Sequence, residues 1–187
     1  MEDDLSRLEI RLSGAGGQGI VLAGQILGQA ASLHEKGKSA TFTQSYGPEA
    51  RGGACSAEVV ISNEPVGYPY VLNPQVLVIM SQEAYNKYTQ NIDPGTLVII
   101  DQDLVKPDPG KNLKISSIPA TKLAREMGRA VVANIIMLGF VAAVSNVVSA
   151  EALKGSILTT VPKGTGEFNI KAFTVGYEYG QKHAKKN

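Results

Sequence analysis

The residues best suited to bind a ligand lie in a short glycine-rich segment near the amino terminus, GAGGQG at residues 14–19. An alternating apolar run at residues 8–13 precedes it and helical periodicity follows it, so we predict a strand, a glycine loop and a helix. The first amides of a helix lack carbonyl partners, and the helix dipole favours negative charge beside them. Bare glycines leave that backbone open to a phosphate, and the Gln18 amide could bond a phosphate or a neighbouring chain. The first candidate site is the loop itself: Gly14, Ala15, Gly16, Gly17, Gln18 and Gly19.

The spacing of Gly14, Gly16 and Gly19 matches the G-x-G-x-x-G pattern of dinucleotide-binding folds. Those folds place an acidic residue after the second strand to hold the ribose hydroxyls, whereas residues 42–44 here read Phe-Thr-Gln. A P-loop needs Gly-Lys-Ser/Thr where the loop meets the helix, but those letters occur only at residues 37–39, after the helix. Both standard nucleotide interpretations therefore fail in part. A tight strand–helix turn that needs glycine only for close packing remains the alternative.

A second candidate segment is TQSYGPEARGGACSAEVVIS, residues 43–62. Because it follows the second predicted strand, we expect its loop at the carboxyl end of the sheet, near the glycine loop. Arg51 stands among small residues, which leaves its guanidinium free to form a fork of hydrogen bonds to phosphate or carboxylate. Glu49 offers Arg51 a local ion pair instead, so both alternatives stay open. Ser45 and Tyr46 add hydroxyl groups to the candidate site, with packing of Tyr46 on the sheet end as the alternative.

Composition restricts the possible functions of the chain. A length of 187 residues with 43% apolar residues predicts one soluble domain, 1–187. The net charge of +1 gives no field that would attract nucleic acid or a membrane surface. A single cysteine, Cys55, excludes an internal disulfide and a cluster held by four thiolates of this chain, and two histidines make a dedicated metal site improbable. The apolar stretch 131–144 is too short to span a bilayer and the amino terminus is acidic, so we expect a cytoplasmic protein.

Apolar periodicity predicts strands alternating with helices. Several strands are too apolar to face water, which indicates a single-domain α/β fold: a three-layer α/β/α sandwich, Rossmann-like, with a mostly parallel or mixed sheet. The carboxyl-terminal part, 121–185, is predicted to be helical. Ser81, Ser149 and Asn169 are predicted to cap helices. The predicted strands are 8–13, 39–44, 55–62, 75–80, 96–101 and 113–118, and the predicted helices are 18–35, 82–90, 121–127, 131–146, 150–160 and a last one beginning at 170.

Three further features lie outside the two loops: a polar residue in an apolar helix, an apolar stretch with two tyrosines, and the single cysteine. Asn134 interrupts an otherwise apolar helix and must find a hydrogen-bond partner if buried; we expect the backbone of a neighbouring strand or loop, with an interface contact as the alternative. The stretch 68–71, Tyr-Pro-Tyr-Val, is expected to be exposed and to contact a partner subunit. Cys55 is expected to be a small buried strand residue.

Two long motifs carry a resemblance to a known family. GAGGQGIVLAGQILGQAA followed by YGPEARGGACSAEVVIS resembles the γ subunit of the 2-oxoacid:ferredoxin oxidoreductases, most closely the 2-oxoglutarate type. The segments VLVIMSQEAYNKY, ANIIMLGF and NIKAFTVGYEYG extend the resemblance over nearly the whole chain. The pyruvate and indolepyruvate relatives share the first loop and differ in the second, so YGPEARGG favours 2-oxoglutarate.

The resemblance implies chemistry that is shared among subunits. Thiamine diphosphate with magnesium, held by the α and β subunits, attacks the 2-oxo carbon, and carbon dioxide leaves. Electrons pass through iron–sulfur clusters on partner subunits to ferredoxin, and coenzyme A takes the acyl group. The chain described here would then be a non-catalytic subunit with α, β and δ partners, inactive when isolated and able to form a homodimer.

The resemblance also suggests a ligand for the two loops. We hypothesise that residues 14–19 and Arg51, with Ser45 and Tyr46 nearby, help to hold the phosphates of coenzyme A. Three alternatives remain at the level of the sequence: a γ subunit acting on pyruvate or another 2-oxo acid, a free-standing nucleotide- or coenzyme A-binding module, and a purely structural subunit whose glycine loop contacts another chain.

Overall fold

A single sheet organises the protein. The computed structural model describes residues 7–45 and 54–184. Within them one six-stranded sheet has the order β2-β3-β1-β4-β5-β6. All of its pairings are parallel except those of β3, which runs antiparallel to both of its neighbours. The strands are β1 (Arg7–Ala15), β2 (Ser39–Ser45), β3 (Ala54–Ser62), β4 (Val76–Ile79), β5 (Leu97–Asp101) and β6 (Lys114–Ile118).

Six α-helices in the described residues surround the sheet, close to their predicted positions. They are α1 (Ile20–Gln29), extended by a π-helical turn (Ala30–His34), α2 (Gln82–Tyr88), α3 (Ala120–Glu126), α4 (Ala133–Ser145), which follows a 3-10 turn (Ala130–Val132), α5 (Ala150–Thr160) and α6 (Gly166–Ala184).

Two of the three predicted helix caps are confirmed. The hydroxyl oxygens of Ser81 and Ser149 each accept a backbone N–H of the following helix, at 3.2 Å. The prediction for Asn169 is wrong, because α6 begins three residues earlier, at Gly166. The side-chain amide of Asn169 instead donates to the carbonyl of Thr165 at 2.9 Å, at the start of the helix. The turn that ends at Thr165 therefore starts α6 without an asparagine cap.

The two faces of the sheet are covered unequally. Side chains alternate between the faces, so that Val76 and Val78 of β4 join the core beneath α1, α4 and α5, while Leu77 and Ile79 join a smaller core beneath α2. The three-layer α/β sandwich predicted from the sequence is thereby confirmed. Its thinner layer consists of α2 together with irregular segments.

Helix α4 is apolar on nearly all sides because it lies between the sheet and α6. Every residue from Ala133 to Ala142 is buried. The two helices approach so closely that a Cβ added at Gly139 would collide with the carbonyl of Phe173, and one at Gly176 would collide with the carbonyl of Ile136. In the described part of the chain, no helix combines the length and the apolar character needed to cross a membrane.

The reversed strand β3 decides what meets at the carboxyl end of the sheet. It forms a hairpin with β2 and inserts between β2 and β1. Ala54 pairs with Ala15 and Cys55 with Gly14, so the residue that follows the β2–β3 loop lies directly beside the glycine loop. The predicted proximity of the two loops is confirmed at the ends of the strands that carry them.

Candidate functional site

The glycine loop joins β1 to α1, as predicted. Gly14 and Ala15 end the strand, and α1 begins at Ile20. Gly17 and Gly19 have φ values of 88° and 72°, in the left-handed region that side chains with a Cβ rarely adopt. Glycine is therefore required at both positions by the backbone itself.

The outer part of the loop is open to a ligand. Gly16 and Gly17 are exposed, and a Cβ at either position would find no atom within 4 Å. Among the residues that the structure describes, the amides of Gly16, Gly17 and Gly19 donate to no other group. Unpaired amides at a helix amino terminus can receive the oxygens of a phosphate or a carboxylate.

Gln18 braces the loop from inside. Its Oε1 accepts the Ala15 amide at 2.6 Å, and its Nε2 donates to the carbonyl of Met80, just after β4, at 2.7 Å. These two bonds tie the loop to the neighbouring strand. The Ala15 amide is consequently engaged within the chain, which leaves the amides on the outer side of the loop for a ligand.

Asn134 holds the loop from the side of α4. Its side chain is 2% exposed, and its Nδ2 donates to the Gly19 carbonyl at 3.0 Å. The expectation that Asn134 bonds the backbone of a neighbouring loop is confirmed. Because Gly19 precedes α1 and Asn134 lies in the first turn of α4, the bond brings two helix amino termini together at the loop. The signal in the sequence was the one amide in an apolar helix; nothing local indicated which loop it would reach.

Part of the second candidate segment can be placed. Ser45 ends β2, is exposed, and pairs with Ser56 of the adjacent strand. Tyr46 and Arg51 lie outside the described residues, as does Glu49. Ser45 and the glycine loop therefore share the carboxyl end of the sheet, on strands separated by β3.

Two buried ionisable groups in the described part of the chain, Cys55 and Asp101, lie at this end of the sheet. Cys55 is a buried residue of β3, as expected, and burial raises the pKa of its thiol. Asp101 is fully buried at the end of β5. Burial raises the pKa of its carboxyl, and this effect outweighs the hydrogen bonds from Thr121 and Asp103, which lower it. Its carboxylate accepts the amide and hydroxyl of Thr121 at 3.0 and 2.6 Å, and so it anchors the start of α3.

A cleft of about 770 Å³ opens at the opposite end of the sheet. It lies beside the first residues of β1, β4, β5 and β6 and beside the connection between α4 and α5. None of the predicted site residues in the described part of the chain lines it. Across the same part of the chain, no three His, Cys, Asp or Glu side chains come together in a group that could hold a metal ion.

Comparison with known proteins identifies the chain's family. Residues 9–179 match the family described as pyruvate ferredoxin/flavodoxin oxidoreductase. A 2-oxoglutarate synthase subunit, KorC, from Methanocaldococcus jannaschii is 53% identical over 175 residues, covering 92% of this chain and 93% of the relative. The chain belongs to the pyruvate ferredoxin/flavodoxin oxidoreductase family.

Solved structures agree on the fold. The keto/oxoacid ferredoxin oxidoreductase γ subunit from Geobacter sulfurreducens superposes with a TM-score of 0.83 at 41% identity, covering 94% of this chain and 99% of that one. The 2-oxoglutarate:ferredoxin oxidoreductase from Magnetococcus marinus, solved with 2-oxoglutarate, coenzyme A and succinyl-CoA bound, has the same fold at 24% identity with a TM-score of 0.83, over 95% of this chain and 31% of that one. The resemblance found in the sequence is thereby confirmed: the chain is a γ subunit of a 2-oxoacid:ferredoxin oxidoreductase, and other subunits of that enzyme are its partners.

Proposed function

We propose that this chain is the γ subunit of a 2-oxoglutarate:ferredoxin oxidoreductase, which converts 2-oxoglutarate and coenzyme A to succinyl-CoA and carbon dioxide while reducing ferredoxin. The observation that carries the proposal is the 53% identity to a 2-oxoglutarate synthase subunit over nearly the full length of both chains. The YGPEARGG motif supports the same substrate.

The substrate is tested on the copurified complex. Reduction of a viologen dye is measured with 2-oxoglutarate, pyruvate and branched 2-oxo acids under identical conditions. We expect 2-oxoglutarate to give the highest kcat/KM. A higher kcat/KM for pyruvate or a branched acid would assign the chain to an oxidoreductase for that acid instead.

The redox and thiamine chemistry belongs to the partner subunits. An iron–sulfur cluster is held by four ligands, most often thiolates, and this chain has one cysteine, whose thiol is buried beside Gly14. These residues do not fit a cluster. We assign the thiamine diphosphate, its magnesium ion and the clusters to the α, β and δ subunits, from which electrons pass to ferredoxin.

The contribution of this chain to the reaction is to bind coenzyme A, through the glycine loop and Arg51. Three observations support this role: the exposed amides of Gly16 and Gly17, the Asn134 bond that fixes the Gly19 carbonyl, and the Magnetococcus enzyme of the same fold, which was solved with coenzyme A bound. The amides would bind phosphate oxygens, and the guanidinium of Arg51 would supply the opposing charge.

Steady-state kinetics of the assembled complex test this role. Arg51→Ala is expected to raise the KM for coenzyme A roughly 10- to 100-fold, because a charge-assisted fork of hydrogen bonds contributes about 1.5–3 kcal/mol. Arg51→Lys, which keeps the charge but loses the fork, should give a smaller increase. The KM for the 2-oxo acid serves as the internal control and should not change.

A second variant probes the loop directly. Gly16→Ala introduces a methyl group that meets no atom within 4 Å in this chain, so folding should be preserved while the approach of a phosphate is obstructed. We expect a higher KM for coenzyme A with an unchanged amount of assembled complex. Loss of assembly with an unchanged KM would instead identify the loop as a subunit contact.

A further inference from the structure

The irregular segment 63–73 covers a charged part of the sheet. Arg7, Glu9 and Arg11 alternate with the core residues of β1 and therefore point to the α2 side, where Glu58 of β3 pairs with Arg11. Arg7 and Glu9 form an ion pair at 2.8 Å, and Arg11 and Glu58 form another at 2.7 Å. Glu9 is only 6% exposed. The side chains beneath the segment are thus charged, with Glu9 buried and the other three half-buried.

The two arginines hold the carbonyls of the segment. Arg7 donates to the carbonyls of Tyr68 and Tyr70, at 2.9 Å each. Arg11 donates to the carbonyl of Val71 at 3.0 Å. Val71 is 5% exposed, so the expectation that the whole stretch 68–71 is exposed is wrong at this residue. Val71 turns inward because both its carbonyl and its amide are bound to the charged cluster.

The two glutamates hold the amides. The Glu9 carboxylate accepts the amide of Leu72 at 2.6 Å and that of Asn73 at 2.8 Å. Glu58 accepts the amide of Val71 at 3.3 Å. Six hydrogen bonds between charged side chains and main-chain groups therefore hold this segment in one conformation.

The outer side of residues 68–72 is apolar. Tyr68, Tyr70 and Leu72 are 51, 55 and 65% exposed, and the two rings meet edge to face with their centroids 5.5 Å apart. We call these three residues the tyrosine face. Charged groups lie underneath and apolar groups lie in water, the reverse of the usual arrangement, and an exposed apolar patch of this kind marks a binding surface.

Rigid aromatic side chains are well suited to an interface. Tyrosine is enriched among the residues that dominate binding free energy. A segment already held by hydrogen bonds loses little conformational entropy when it binds.

We infer that the tyrosine face docks on one partner subunit. That subunit is the one that corresponds to the remainder of the Magnetococcus chain, in which the fold described here is one part. The fold described here accounts for 31% of the matching Magnetococcus chain, where it is covalently joined to the remainder. The KorC subunit from Methanocaldococcus jannaschii, of which this chain covers 93%, has no room for that remainder, and such a subunit must secure the same association without a covalent link. The partner should present an apolar hollow with hydrogen-bonding groups at its rim for the two tyrosine hydroxyls. This inference rests on the proposed function.

The test compares two doubly substituted chains in the reconstituted complex. Tyr70→Ser/Leu72→Ser removes most of the tyrosine face, and Leu33→Ser/Leu158→Ser removes two other exposed leucines, which are 70 and 57% exposed. Each full-length chain is titrated with the remaining subunits and binding is followed by interferometry. We expect the first variant to bind at least 10-fold more weakly than wild type and the control to bind within 2-fold of wild type.

The outcomes separate the inference from the proposed function. Equal affinity of wild type and both variants would overturn the docking surface and leave the proposed function standing. Failure of the wild-type chain to bind any thiamine- or iron–sulfur-containing subunit would overturn the proposed function itself.

A crosslinking measurement covers the case in which the serine variant does not fold. Tyr68 is replaced by p-benzoylphenylalanine in the complete complex, with the same replacement at Leu33 as the control. A crosslink to the partner subunit from position 68 alone supports the inference. Crosslinking from position 33 and none from position 68 overturns it.

Discussion

At the scale of single residues, two buried polar side chains decide the shape of the functional surfaces. Asn134 joins the glycine loop to α4 through the Gly19 carbonyl. Glu9 joins β1 to the segment that displays the tyrosine face. Each side chain satisfies main-chain groups far away in sequence, so its loss should be felt at the surface it positions as well as in overall stability.

Asn134→Ala is expected to lower the free energy of unfolding by about 0.5–1.5 kcal/mol, because it removes one of the two hydrogen bonds that the Gly19 carbonyl accepts, the other being from the Ala23 amide. It should also speed hydrogen exchange at the amides of Gln18 and Ala23, which are hydrogen-bonded in the loop and in the first turn of α1. Urea denaturation and exchange measured by mass spectrometry check both effects. Asn169→Ala, which removes only two hydrogen bonds to Thr165 at the start of α6, is the matched control and should leave exchange at the glycine loop unchanged. The same acceleration in both variants would contradict a specific link to the loop.

Glu9 should give the protein a pH-dependent stability. Burial alone raises the pKa of this carboxyl, but the hydrogen bonds from Arg7 and from the amides of Asn73 and Leu72 outweigh it and hold the pKa below its ordinary value of 4.5. A lowered pKa in the folded state means that the ionised form stabilises the protein. The stabilisation is complete above the unfolded pKa and is lost as the pH falls through the folded pKa.

Glu9→Gln is therefore expected to cost about 2–3 kcal/mol at pH 7, and the difference from wild type should shrink on acidification below pH 4.5. Urea denaturation at a series of pH values measures it. Glu64→Gln changes an exposed carboxylate at the start of the same segment and should have little effect at any pH. A difference between wild type and Glu9→Gln that does not depend on pH would show that the folded pKa is not lowered.

At the scale of elements, the crossing of α4 and α6 is the contact that tolerates least change. Gly139 and Gly176 let the two backbones touch, and a methyl group at either position would strike a main-chain carbonyl of the facing helix. A carbonyl cannot rotate away as a side chain can, so the helices would have to separate along their length. The apolar surface of α4 would then be partly uncovered.

Gly139→Ala and Gly176→Ala are each expected to destabilise the protein by about 3 kcal/mol or more, despite the higher helix propensity of alanine. Gly155→Ala in α5 is the control, because its Cβ would meet only the ring of His34, at 3.1 Å. That variant should be close to neutral. Thermal unfolding of the three variants ranks them, and equal melting temperatures would refute the close-packing explanation.

At the scale of the whole molecule, the chain brings together surfaces that other subunits complete. The glycine loop lies at the carboxyl end of the sheet, and the tyrosine face lies on the α2 side, over β1 and β3. A binding site made partly by one subunit should have little affinity for its ligand before assembly.

Titration of the isolated chain with coenzyme A is expected to show no saturable binding tighter than about 1 mM, since a few amides and one guanidinium supply only part of the site. The assembled complex should bind coenzyme A far more tightly under the same conditions. Isothermal calorimetry checks both. Micromolar binding by the isolated chain would favour a free-standing coenzyme A-binding module instead.

The amino-acid sequence predicted most of the local features correctly and one of them wrongly. The glycine loop between β1 and α1, the caps at Ser81 and Ser149 and the burial of α4 were all predicted, because each depends on residues adjacent in the chain. The start of α6 was misplaced, because Asn169 has the side chain of a cap but lies inside the first turn and bonds back to Thr165.

By itself the sequence determined the order and kind of the elements, the open glycine loop and, through a single cysteine, the exclusion of a four-thiolate cluster. Only the tertiary structure decided that β3 runs backwards between β1 and β2, that Asn134 reaches Gly19, and that charged side chains of β1 and β3 hold the tyrosine face outward. Periodicity and caps are local properties of neighbouring residues. Strand order and bonds between residues more than 100 positions apart depend on how the whole chain packs, because each such contact is stable only when the others have formed.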